Sequence, residues 1–245
     1  MEGIVRITSY QRQGCAPEKT EMEDRIAIGK SVLATGFHCC SALDNGICAV
    51  CDGVGGLKGS AFASSLAART IADLAVPTSA EAVTKALKEV HEDLVNYSST
   101  ATTATGLVFN SPDQVLLFHI GNTRISGLCD GYIRFFTEDQ TKYEQLRKDG
   151  VPEDEIPASE KTTLMACLGA RRELIDALVI SELPVKASRC GKLMITSDGI
   201  HDSLSVDEME QFLQGDITEE TLERFADSAV KAGSQDDLSI LVIEL

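Results

Sequence analysis

Short apolar runs, some alternating with polar residues and some unbroken, recur along the chain and predict β-strands. They are IVRITSY (4–10), GICAVCD (46–52), TATGLVF (103–109), QVLLFHI (114–120), TRISGLC (123–129), YIRFF (132–136), LVISEL (178–183), KLMITS (192–197) and LSILVIEL (238–245). Asn110-Ser111-Pro112-Asp113, Gly121-Asn122 and Asp130-Gly131 carry turn chemistry between consecutive runs, which favours antiparallel neighbours over long crossovers. Helical spacing places Phe62, Leu66, Ile71 and Leu74 on one apolar face, and Val83, Leu87, Val90 and Leu94 on another. Thr78-x-x-Glu81 and Ser205-x-x-Glu208 have the capping-box pattern, and Leu222, Phe225, Ala226 and Ala229 predict a last helix that Gly233 ends. The final strand is apolar on both parities, as expected of a strand buried on both faces. Helices come early and late with strands between and around them, a block pattern that predicts a layered α+β fold. The segment 143–161, with Gly150, Pro152, Pro157 and Glu153-Asp154-Glu155, keeps little periodicity beyond a short helical start and is expected to form a surface flap.

A chain of 245 residues, 43% hydrophobic, suits one domain spanning 1–245. Its 22 Lys+Arg against 38 Asp+Glu leave a net charge of −16, which argues against a nucleic-acid footprint or an anionic membrane surface. The start MEGIVRITSYQRQG lacks signal-peptide character, and no apolar run approaches the about 18 residues of a membrane span. The expectation is a soluble, cytoplasmic chain. Cysteines at 15, 39, 40, 48, 51, 129, 167 and 190 are scattered, which suits reduced thiols better than a disulfide framework. A zinc site through Cys48-x-x-Cys51 is disfavoured, because positions three apart on a strand point to opposite faces.

Acidic residues recur where apolar runs end: Glu23-Asp24, Asp52-Gly53, Asp139, Asp198-Gly199 and Asp236-Asp237. A carboxylate at the end of a buried strand, followed by glycine, is held rigidly while the backbone beside it stays open to a ligand. Such oxygen donors suit hard divalent cations, whereas a lone Asp-Gly is more often only a turn. Spacing alone leaves both readings open.

In order along the chain stand Lys19-x-x-x-Glu23-Asp24, Val50-Cys-Asp52-Gly53-Val54-Gly55-Gly56-x-x-Gly59, Thr102-Thr103-Ala104, Gly121-Asn122-Thr123-Arg124, Thr137-Glu138-Asp139, Leu168-Gly169, Thr196-Ser197-Asp198-Gly199-Ile200-x-Asp202 and Asp236-Asp237-Leu-Ser. This succession, covering nearly the whole chain, resembles the metal-dependent protein phosphatases of the PP2C type, in their bacterial branch. The resemblance implies a four-layer α-β-β-α sandwich with two central antiparallel sheets. It implies two Mn²⁺ or Mg²⁺ ions bridged by Asp52, with Glu23 and the Gly53 carbonyl on one, Asp198 and Asp236 on the other, and Asp24 holding water. Lys19 stands where the family grips the substrate phosphate. A hydroxide bridging the cations, rather than a side chain, is then the nucleophile, so the cysteines need no catalytic role. Gly55, Gly56 and Gly59 mimic a phosphate-cradling loop, but the Lys-Ser/Thr of a nucleotide P-loop does not follow them.

Four positions depart from the family pattern. Lys19 replaces an arginine and so loses the bidentate fork, which leaves room for another basic side chain to help. Val54 stands where eukaryotic relatives often carry a proton-donating histidine; His201, close to Asp198, is a conceivable substitute, although a structural role is the commoner one, and His119 reads as core. Asn122 replaces an aspartate associated with a third metal, which puts that site in doubt. Asp237 replaces an asparagine and adds charge. The expected activity is hydrolysis of phosphoserine or phosphothreonine in proteins by a monomer that opposes a serine/threonine kinase. The competing readings are a catalytically weak regulatory module and a small-molecule phosphomonoesterase.

Overall fold

The computed structural model describes residues 6–17, 19–41, 46–111, 114–183 and 189–245; Ile4 and Val5 of the first expected strand and Pro112-Asp113 of the first expected turn lie outside them. Two six-stranded antiparallel sheets are stacked within these residues. One runs β10 (Tyr132–Phe135), β9 (Arg124–Cys129), β13 (Cys190–Thr196), β14 (Leu238–Glu244), β1 (Arg6–Arg12), β4 (Gly36–Cys40). The other runs β12 (Val179–Leu183), β8 (Gln114–Ile120), β7 (Ala104–Ser111), β5 (Ile47–Cys51), β2 (Arg25–Ile28), β3 (Ser31–Leu33). A short ladder pairs β6 (Ala101–Thr102) with β11 (Leu168–Gly169).

The period-two geometry of strands builds three apolar layers from these sheets. On β5, Cys48 and Val50 face the core between the sheets, while Ile47, Ala49 and Cys51 face α1 (Ser60–Ala72) and α2 (Ala80–Val95). Cys48 and Cys51 therefore lie in different layers and cannot chelate one ion. On β14, Leu241 and Ile243 face the inter-sheet core, while Leu238, Ile240 and Val242 face α5 (Val206–Gln214) and α6 (Glu219–Lys231). The order is α-β-β-α, and β14 is buried on both faces.

Several local expectations need correction. The buried face of α1 is made of Ala63, Ala67, Ala68 and Ile71, whereas Phe62 is 50% exposed and meets the Tyr97 ring edge-on. Small side chains let this helix lie close on β2 and β5, so size mattered more than apolar spacing. The cap of α2 is Ser79, whose hydroxyl accepts from the Ala82 N–H, one residue later than expected; Ser205 and Glu208 form a complete capping box. Gly121-Asn122 does not close a hairpin: β8 and β9 lie in different sheets, so the chain changes layer there. Asp130-Gly131 does close one, both residues having positive φ. Strands β2, β3 and β4 carried too little pattern to be read from sequence, being only three to five residues long.

The cysteines also differ from expectation. Register places Cys129 of β9 opposite Cys190 of β13, and the two are joined by a disulfide across 61 residues of sequence. Cys15, Cys39, Cys40, Cys48, Cys51 and Cys167 are free thiols. Across 143–161 the structure forms α3 (Lys142–Lys148) and two 3₁₀ turns, Glu153–Glu155 and Ala158–Lys161, none of which contributes a buried residue. Among the described residues no helix is long and apolar enough to cross a membrane.

Phe225 is 1% exposed and stacks on Phe212 at 4.5 Å between centroids. Phe225→Ala should lower unfolding free energy by about 3–5 kcal/mol in a urea titration. Phe62→Ala, on the exposed side of α1, should stay within about 0.5 kcal/mol.

Candidate active site and metal centre

The acidic residues singled out in the sequence sit where strands of both sheets end at one rim. Asp52 follows β5 and Asp24 precedes β2; the pairing of Arg25 with Cys51 puts the two aspartates next to each other in register. Asp198 follows β13 and opens the short helix α4 (Asp198–His201), Asp236-Asp237 precede β14, and these strands are likewise antiparallel neighbours. Asp24 lies between the layers: it belongs to the strand end of one sheet, and Ser197 and Ser239 of the other sheet act on its carboxyl.

Each ligand-type residue is held by its backbone or by a polar neighbour. The Asp52 carbonyl accepts from Thr102 Oγ1 and the Thr103 N–H, both at 2.8 Å, and its own N–H donates to Thr103 Oγ1 at 3.0 Å. Thr103 is anchored in turn on the Thr123 hydroxyl at 2.7 Å. At Gly53 an added Cβ would lie 2.7 Å from the Ser60 carbonyl oxygen and 2.8 Å from that of Glu23, so only glycine lets these segments meet. At Gly199 a Cβ would come within 2.2 Å of the Asp237 carbonyl oxygen. Asp198 Oδ2 accepts from the Asn122 side-chain amide at 2.9 Å.

Asp237 ties the loops together. Its Oδ1 accepts from the Gly14 N–H at 2.8 Å and its Oδ2 from the Glu23 N–H at 2.6 Å. An asparagine offers only one oxygen for these two donors, so the extra charge read from sequence has a structural use. Lys19 answers that charge: its Nζ lies 3.1 Å from Asp237, 2.5 Å from Asp236 and 3.1 Å from Glu23.

Burial and mutual repulsion act strongly on this group. Burial first, then the charges of Asp237 and Asp236, push the Asp24 carboxyl up to about 7 against the lowering effect of its serine hydrogen bonds. Burial, then Asp236 and Asp202, push Asp198 up to about 7. Asp52 is raised well above the ordinary range by burial and by Asp24, Asp198 and Asp236. Asp24 Oδ2 is buried without a hydrogen-bond partner. Crowded carboxylates, an orphaned carboxylate oxygen and the neighbouring Gly53 carbonyl form a donor set that fits hard divalent cations such as Mg²⁺ or Mn²⁺.

A second cluster escaped the sequence reading. Asp139, His201 and Asp202 each place one ligand atom within 4.8 Å of the others. Arg124 already stands among them, bidentate to Asp139 at 2.7 and 2.6 Å and 3.6 Å from Asp202, so the cluster carries its own cation. His201 Nδ1 pairs with the Thr196 hydroxyl at 2.8 Å, and burial, then Arg124, hold the ring neutral by lowering its pKa well below the usual value. A neutral imidazole of this kind is not a proton donor near pH 7. His119 is equally internal, bonded to Thr105 and to the Glu138 carbonyl. The pairing of Arg124 with Asp139 carried one signal in the sequence, an isolated acid at the end of an apolar run.

Comparison with known proteins bears on the fold. Residues 34–239 match the family model described as Protein phosphatase 2C. The chain is 27% identical over 213 residues to the serine/threonine phosphatase stp of Listeria monocytogenes serotype 4b, covering 80% of this chain and 82% of that one. Its fold resembles the serine/threonine phosphatase Stp1 of Staphylococcus aureus, with a TM-score of 0.78, 17% identity, and coverage of 98% and 94% of the two chains. It also resembles the catalytic domain of the phosphatase PstP solved in complex with two manganese ions, with a TM-score of 0.71, 20% identity and 98% coverage of each chain.

The raised carboxyls predict a pH dependence. Asp24 and Asp198 bind protons more tightly in the folded chain, at about 7, than at their ordinary value of 3.8. Their contribution to stability is therefore complete below 3.8 and is lost as pH rises through about 7. With chelator present, Asp24→Asn should gain in Tm relative to the parent as pH rises from 4 to 7, and saturating Mn²⁺ should shrink that difference; melting curves across pH check both.

Proposed function

The chain belongs to the protein phosphatase 2C family, and on that premise we propose that it hydrolyses phosphoserine and phosphothreonine in proteins with two Mn²⁺ or Mg²⁺ ions. The observation that carries this reading is the meeting of Asp24, Asp52, Asp198 and Asp236 at one rim, one carboxylate oxygen lacking any partner. Asp52 is assigned to both ions, Glu23 and the Gly53 carbonyl to one, and Asp198 with Asp236 to the other. When bound, the ions supply an activated water and neutralise the phosphoryl oxygens during in-line attack.

The residues of the chain do the rest. Thr102 and Thr103 fix the Asp52 backbone, which would keep its carboxylate in place to hold the ions. Asn122 holds Asp198 through a side-chain amide, a neutral contact that adds no charge for a third ion. Asp24 stays buried behind the ligands, with an oxygen free to hold water in place. No cysteine is required: burial pushes the Cys51 thiol above its usual range, which disfavours the thiolate a nucleophile would need. A monomer is the working form assumed in this reading. The bacterial relatives are named serine/threonine phosphatases, which supports a phosphoprotein substrate; a serine/threonine kinase, the class of enzyme that makes such a substrate, is the counterpart this reading proposes. The segment 143–161, whose helix and turns contribute no buried residue, is assigned to substrate choice.

Purified protein should hydrolyse a phosphothreonine peptide with Mn²⁺ or Mg²⁺ and stop with chelator. Asp52→Asn and Asp198→Asn should each lower kcat at least about a hundredfold while the far-ultraviolet circular dichroism stays unchanged. Full activity in either variant would remove that residue from the metal centre. Replacing Glu153, Asp154 and Glu155 by alanine should change KM for a phosphoprotein and leave KM for the short peptide within about twofold.

A further inference from the structure

Lys19 and Lys58 line the same cleft of about 710 Å³, together with Glu23 and Asp236, and they are its two basic lining residues. Their situations differ. The Lys19 side chain is 9% exposed and its ammonium is shared by Glu23, Asp236 and Asp237. Asp237 is 1% exposed and stands outside the assigned ligand set, both of its oxygens being committed to the N–H groups of Gly14 and Glu23. Turning Lys19 out toward a substrate would strip this buried carboxylate of its counter-charge, so the ammonium is held inward. Glu23 and Asp236 are assigned to the ions, so Asp237 is the partner that keeps this ammonium inward when the site is loaded.

Lys58 is presented in the opposite manner. It is exposed, on the loop between β5 and α1. That loop is pinned on both sides of it: the Val54 N–H donates to the Ala101 carbonyl at 3.0 Å, the Gly59 N–H to the Ser99 carbonyl at 3.0 Å, and Ser60 Oγ to the Leu57 carbonyl at 2.7 Å. A Cβ on Gly59 would lie 2.2 Å from Thr100 Cγ2, so the loop closes tightly just after the lysine. The root of Lys58 is thus fixed while its exposed side chain lines the cleft with no ion-pair partner among the described residues.

We propose that Lys58 is the specificity-determining cation that meets the phosphate of the substrate, and that Lys19 is a positioning residue locked with Asp237. This rests on the phosphatase reading and assigns the two lysines of its cleft different tasks. A phosphorylated side chain entering past Asp236 needs a cation to offset the surrounding carboxylates, and among the described residues Lys58 forms no ion pair with them.

The test compares Lys58→Met, Lys58→Arg, Lys19→Met and the double variant Lys19→Met/Asp237→Asn, which removes both charges of the buried pair and keeps the test usable if Lys19→Met alone does not fold. Calorimetric titration of Mn²⁺-loaded protein with inorganic phosphate, and KM against kcat for a phosphothreonine peptide, are the readouts. Lys58→Met should raise Kd for phosphate and KM for the peptide roughly fivefold to tenfold with kcat within about twofold, and Lys58→Arg should restore both. Lys19→Met should lower Tm in chelator, the double variant should recover part of that loss, and phosphate Kd in the double variant should stay within about twofold of the parent. An unchanged phosphate Kd in Lys58→Met, or a larger loss in the Lys19 variants than in Lys58→Met, overturns the proposal. Absence of turnover in the parent would instead count against the phosphatase reading, while the phosphate titration still decides between the lysines.

Discussion

Carboxylates that converge from two sheets onto one rim repel one another and lose hydration together. Asp24, Asp52 and Asp198 are all driven above their ordinary pKa by burial and by neighbouring acids. Without cations such a cluster can be relieved only by protonation or by an ammonium drawn in from the chain, and Lys19 supplies the latter at one edge. The same crowding that makes the site costly to fold suits it to divalent cations in the proposed reading, since charge neutralisation is the largest gain available there.

The sandwich makes this crowding possible. Antiparallel pairing returns β2 beside β5 and β14 beside β13, so each sheet brings two chain segments to the same rim. Stacking the sheets across an apolar core of Ile26, Val50, Leu107, Ile195 and Leu241 then brings those two pairs together. Outer helices seal the far faces through alanines on one side and larger residues such as Phe225 on the other. Glycines at 53 and 199 let loop backbones touch where a side chain would force them apart. Rigid strand ends and closely packed loops give these carboxylates fixed positions.

The longer strands and the later helices were legible because their pattern is local. β8 matches its apolar run residue for residue, and Ser205 with Glu208 caps α5 as the spacing implied. The short strands β2, β3 and β4 were not, since three to five residues carry too little period to distinguish strand from loop. The face of α1 was misjudged at Phe62, which is exposed, while Ile71 is buried and Leu66 and Leu74 pack against the core beside the alanines that lie on the sheet. Gly121-Asn122 looked like a hairpin turn and is instead a passage between layers, a distinction that depends on which sheet the next strand joins.

The sequence by itself determined the residue types of the site, their order, and the block arrangement that calls for layered sheets, because each is written in neighbouring residues. Tertiary structure alone decided which groups touch. The disulfide between Cys129 and Cys190 follows from the register of β9 on β13. The commitment of Lys19 to acids more than 200 residues away, and the double use of the Asp237 carboxylate, depend on loops meeting across two sheets. Such contacts are set by the packing of whole layers, where burial and loop closure outweigh anything a local pattern can encode, and so they became visible only in three dimensions.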